Sequence, residues 1–141
     1  MKKLVLATVA ATASFAINAN AATLITTTAD NRATVAASST GCPLLSEGVT
    51  LTLSQNVVAS YSCNATTNII ALAGCHPNGL KVGANNAQNN YYTASTAGGV
   101  IKASQGAACV TAGGDTGSLA DTASGTPVED PTGDDDTATT P

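Results

Sequence analysis

Tryptophan is absent from this chain, and phenylalanine, methionine and histidine occur once each. Aromatic residues make up 3% of the sequence, so a core built on large ring contacts is excluded. The shortage of imidazole also narrows the chemistry. A hydrolase needs a nucleophile, a base and an orienting group, yet before position 112 the only carboxylates are Asp30 and Glu47 and the only imidazole is His76. No Gly-x-Ser-x-Gly elbow and no His-Glu-x-x-His helix motif occurs. A non-catalytic protein is therefore expected, with no catalytic residue assigned.

Charge is scarce too, at 10% of residues, and it is unevenly placed. Between residues 22 and 111, Arg32, Lys81 and Lys102 face only Asp30 and Glu47. Asp115, Asp121, Glu129, Asp130, Asp134, Asp135 and Asp136 all follow. A nearly neutral body with an acidic tail has no basic surface for phosphates, so nucleic acid is not an expected partner.

The first 21 residues read as an export signal. Lys2 and Lys3 form a basic start, Leu4 to Ile17 an apolar stretch, and Ala19-Asn20-Ala21 a small-x-small cleavage pattern. A bilayer span needs about 20 apolar residues, so cleavage is expected over anchoring, and no transmembrane segment should remain. The short Lys-Lys signal has a bacterial character, which places the product in the periplasm, at the cell surface or outside the cell. Cleavage removes Met1 and Phe15 and leaves a chain of one-domain size.

A domain this small and poor in large apolar residues is marginal on burial alone. Cys42, Cys63, Cys75 and Cys109 supply the remedy, because an even number of cysteines in an exported chain favours disulfides. Four cysteines allow three connectivities. The pairs Cys42–Cys63 and Cys75–Cys109 are favoured here, the first because it brackets an expected hairpin.

Patterning points to a mainly β fold, a small disulfide-stapled antiparallel sheet or sandwich over residues 22–111. Thr23 to Thr28 and Ala33 to Ala37 are rich in β-branched residues. In 48–54, Val49, Leu51 and Leu53 alternate with polar residues, and Val57, Ala59, Tyr61 and Cys63 share one face of the next run. These two runs read as a hairpin across Ser54-Gln55-Asn56. Residues 68–75 suit one short helix capped by Thr67 or Asn68, with a buried strand as the alternative. Leu80 to Val82 reads as a brief strand, and 83–90 as an exposed loop. Tyr91 to Thr96 and Val100 to Ala103 read as a second hairpin across Ala97-Gly98-Gly99. Residues 112–141, rich in Gly, Thr, Asp and Pro, are expected to be a disordered acidic tail.

No cofactor or metal is expected. The Cys75-His76 pair lacks the second cysteine of Cys-x-x-Cys-His, and the processed chain offers neither methionine nor a second histidine as a haem ligand. Zinc sites present ligands in close pairs, which the four cysteines do not form. In composition the body resembles bacterial fimbrial and surface-fibre subunits. It carries no prepilin leader, no near-terminal aromatic strand of the chaperone-usher pilins, and no regular curli repeat. The expectation is an exported structural or interaction protein that self-associates through Val49 to Leu53 and Val57 to Tyr61, or contacts a cell-surface component. The alternative is a monomeric periplasmic ligand-binding (glycan) or inhibitor module using a loop from Asn85 to Tyr92, with Tyr91 and Tyr92 as candidate binding residues.

Overall fold

The alternation along the chain is realised as eight strands and one helix in a computed structural model that describes residues 21–126. The strands are β1 (Thr23–Leu24), β2 (Arg32–Val35), β3 (Val49–Thr52), β4 (Val58–Asn64), β5 (Ile69–Cys75), β6 (Lys81–Val82), β7 (Gln88–Ser95) and β8 (Lys102–Gly106). The helix, α1, spans Thr116–Ser124. Residues 1–20, which hold nearly all of the expected export signal, and the acids from Glu129 onward lie outside the described residues.

The main antiparallel sheet runs β1-β4-β5-β7, with β6 and β8 both paired to β7. At its centre β4 and β5 pair along their full length, from Val58 with Cys75 to Asn64 with Ile69. The turn between them is built by Asn64, whose Oδ1 accepts the N–H groups of Thr66 and Thr67 at 2.9 and 3.2 Å. Asn68 then adopts φ 58°, the left-handed conformation that asparagine tolerates. Residues 69–75 are thus a strand, and the short helix expected there does not form. Their two faces are both occupied, which hides the period-2 signal of a half-buried strand.

The hairpin expected from β3 to β4 is also corrected. β3 pairs with β2, Arg32 opposite Thr52 and Val35 opposite Val49, in a separate two-stranded sheet. Asn56, at φ 64°, helps to carry the chain across to the other layer. The two layers meet where Leu51, Leu53 and Val57 pack with Ile25, Ala33, Ala59, Tyr61 and Leu72. Cys42 and Cys63 do form a disulfide, with Cα atoms 5.4 Å apart, but it joins the loop after β2 to β4 and so staples the two layers. Cys75 and Cys109 form the other, with Cα atoms 6.0 Å apart. Each bridge sits inside an apolar cluster: one with Val35, the other with Val58 and Tyr91.

The largest departure lies beyond residue 112, where the expected tail instead contains α1. This helix lies on the face of the sheet formed by Ser60 and Ser62 of β4 and Ala71 and Ala73 of β5, all buried. Its own buried residues, Thr116, Ala120 and Ser124, recur every four positions. They are small and mostly polar, so the contact depends on hydroxyl groups. Ser60 Oγ lies 2.7 Å from Thr116 Oγ1, and Ser62 Oγ donates to Asp121 Oδ1 at 2.7 Å. Thr67 Oγ1 donates to the Ser124 carbonyl at 2.7 Å. Gly125 ends the helix at φ 73°. Two carboxylates assigned to a solvated tail are therefore structural: Asp121 here and Asp115, which accepts the Ala107 N–H at 2.6 Å.

Candidate interaction surface

Successive side chains of a strand point to opposite faces, and this divides the site residues named from the sequence. Tyr91, opposite Cys75 and Ser104, points to the α1 face and is fully buried. Its hydroxyl donates to the Ala107 carbonyl at 3.0 Å and accepts the Asp115 N–H at 3.4 Å. Gly106 lies against the Tyr91 ring, since a Cβ there would fall 2.8 Å from ring carbon Cε2. Burial raises the Tyr91 phenol pKa; the Asp115 backbone hydrogen bond opposes this shift and the Asp115 charge adds to it. Tyr91 is a core residue and leaves the candidate binding set. Tyr92 points the other way and is 52% exposed.

The expected binding loop is correspondingly shorter. Residues 84–86 form a 3-10 turn, and β7 starts at Gln88. Asn89 is buried, with Oδ1 accepting the Cys109 N–H at 2.9 Å. Its amide Nδ2 donates to the His76 carbonyl at 3.4 Å. Only Tyr92 remains as an accessible ring from that segment.

Around Tyr92 the sheet face is uncovered. The β2–β3 layer shields Ala59, Tyr61 and Cys63, but it ends before β7 and β8. An open groove of about 390 Å³ results, floored by Leu72, Tyr92 and Ala94 and walled by Leu53, Val57 and Ile101. Ile101 is 70% exposed and the adjacent Val100 63%. His76 is the only ionisable group in the lining besides the Tyr92 phenol. Its Nδ1 accepts the Asn78 N–H at 3.0 Å, so that nitrogen is engaged in shaping the turn. The groove therefore offers apolar contact with one phenol and one imidazole at its margin.

Beside the groove, β8 is the outer strand of the sheet, with Lys102, Ala103 and Gln105 exposed. The segments expected to self-pair are placed differently from one another. Val57 to Tyr61 is interior, because β4 lies between β1 and β5, whereas Val49 to Leu53 borders the two-stranded layer. A strand was expected at Val100 to Ala103, but that β8 ends the sheet follows from its pairing with β7 alone, which local patterning does not reveal.

Both disulfides are closed, so all four thiols are engaged with one another. No helix among the described residues is long and apolar enough to cross a membrane. The chain matches no protein-family model, no curated protein and no solved structure.

Proposed function

We propose that this chain is an exported, non-catalytic structural or interaction protein that associates with copies of itself, as a subunit of a bacterial surface or fibre assembly. The observation that carries this reading is the apolar shelf of Tyr92, Leu72, Val57 and Ile101 beside the exposed strand β8. Contiguous exposed apolar surface on a small domain marks a contact site. The near absence of charge on the body weakens the repulsion that keeps small proteins apart. The two disulfides suit an oxidising compartment, in keeping with the export signal. The glycan-binding alternative relied on two neighbouring tyrosines, and burial of Tyr91 leaves it only Tyr92.

The test is the association state of the chain lacking residues 1–21. Light scattering across concentration is expected to show mass increasing above the monomer. Ile101→Asp, which places a charge on the shelf without touching the core, is expected to weaken that association. A monomer at every concentration, with no fibres by electron microscopy, would overturn the reading.

A further inference from the structure

We propose that two copies pair antiparallel along β8, about a two-fold axis passing beside Ser104; this rests on the self-association reading above. The direction of the peptide groups on β8 follows from its neighbours. Thr96 donates its N–H to the Ile70 carbonyl at 2.9 Å, and Asn90 donates to the Leu80 carbonyl at 3.2 Å. Hydrogen-bonded pairs alternate along an antiparallel ladder, so even-numbered residues of β7 bond towards β5 and β6. Tyr91 and Thr93 then bond towards β8, to Ser104 and Lys102. The peptide groups of Ala103 and Gln105 consequently point away from the sheet. Ala107 continues this outward set, and its N–H is already taken by the Asp115 carboxylate. The free edge is therefore short and has a defined end.

Three features select the register. With the axis at Ser104, Ala103 of each copy pairs with Gln105 of the other, so both outward residues find partners. Lys102 of each copy then lies opposite Gly106 of the other. Gly106 has no side chain, and the place its Cβ would take is next to Asp115 Oδ2. Lys102 and Gly106 both lie on the α1 face, as their pairing with Thr93 and Asn89 shows. The lysine of one copy thus meets the Asp115 carboxylate of its partner, and symmetry makes this contact twice. Moving the axis to Lys102 would instead set the two lysines against each other.

The third feature is Ser104 itself. Its Oγ is the buried side-chain polar atom without a hydrogen-bond partner among the described residues. In the proposed register the two Ser104 residues face each other as a non-hydrogen-bonded pair, the close type in which cross-strand hydroxyls bond. A change of χ1 rotamer brings the two hydroxyls together. On the opposite face the two Tyr92 and Ile101 shelves become neighbours across the axis.

Sedimentation velocity of the chain lacking residues 1–21 is expected to show a concentration-dependent dimer that weakens with added salt, since the Lys102–Asp115 contacts are screened. Gln105→Pro removes an N–H that points away from β7 and so spares the ladder within the monomer. It should weaken the dimer by about tenfold or more with an unchanged circular dichroism spectrum. Lys102→Asp should weaken it as well. Ser104→Cys should give a covalent dimer on a non-reducing gel, because Cα atoms of such a pair lie about 4.5 Å apart. A dimer that persists in Gln105→Pro, or a Ser104→Cys chain that does not cross-link, overturns the edge pairing and leaves self-association through the shelf standing. If Gln105→Pro alters the spectrum, the cross-link decides. A wild-type chain that stays monomeric overturns both.

Discussion

At the scale of single residues, the neighbours Tyr91 and Tyr92 have opposite fates. Period-2 geometry sends one into the core and the other onto the open face, so a strand through both excludes a shared binding surface. That was available from the sequence once residues 91–96 were read as a strand. What was not available was the environment of Tyr91: the Ala107 carbonyl, the Asp115 N–H and the bare Gly106 beneath the ring. The raised pKa has a defined consequence for stability. Because the folded state favours the neutral phenol, the unfolded chain ionises first, near pH 10. Stability is complete below that pH and falls as pH rises through the folded-state pKa. Urea titrations at stepped alkaline pH should show this loss for the wild type and a shallower one for Tyr91→Phe. At neutral pH the same substitution should cost about 1 kcal/mol, since it removes the buried hydroxyl and both of its backbone hydrogen bonds.

Among the elements, α1 was the least legible and is the most informative. Hydrophobic periodicity finds helices that bury Leu, Ile or Val; α1 buries Thr116, Ala120 and Ser124. Small residues on both sides let the helix approach the sheet closely, and the Ser60–Thr116 and Ser62–Asp121 hydrogen bonds offset the burial of polar atoms. Close approach leaves no room at Ala120, which has no exposed surface. Ala120→Leu should therefore destabilise the fold by about 1–3 kcal/mol through overpacking. Thr122→Ala, at an exposed position of the same helix, should stay within about 0.5 kcal/mol. Equal urea midpoints for the two variants would contradict the packing described. The β7–β8 hairpin was legible because Tyr91 to Thr96 and Val100 to Ala103 flank a turn with Gly98-Gly99, and Gly99 takes φ 62° there, although the second strand begins only at Lys102.

At the scale of the molecule, the disulfides compensate for a core that, among the described residues, is divided into three small clusters, two of which contain a bridge. The bridges span sequence separations of 21 and 34 residues. In the chain-entropy treatment, closures of this length contribute about 3–4 kcal/mol each, a large share of a small domain's stability. Reduction of the chain lacking residues 1–21 should abolish its cooperative urea transition at room temperature, as followed by far-ultraviolet circular dichroism. A reduced chain with an unchanged midpoint would show that the apolar clusters and the α1 hydroxyl contacts suffice alone.

By itself the sequence determined the β class, because alternation and β-branched residues act locally, and it identified the four cysteines as bridges. Only the tertiary structure decided that β3 joins β2 instead of β4, since alternation names a strand's buried face but not its neighbour. It also decided that residues 116–124 fold, because their burial depends on hydroxyl partners as distant in sequence as Ser60 and Ser62. The exposed edge at β8 belongs with these. An edge is defined by which strand lacks a partner, and that follows from the whole sheet.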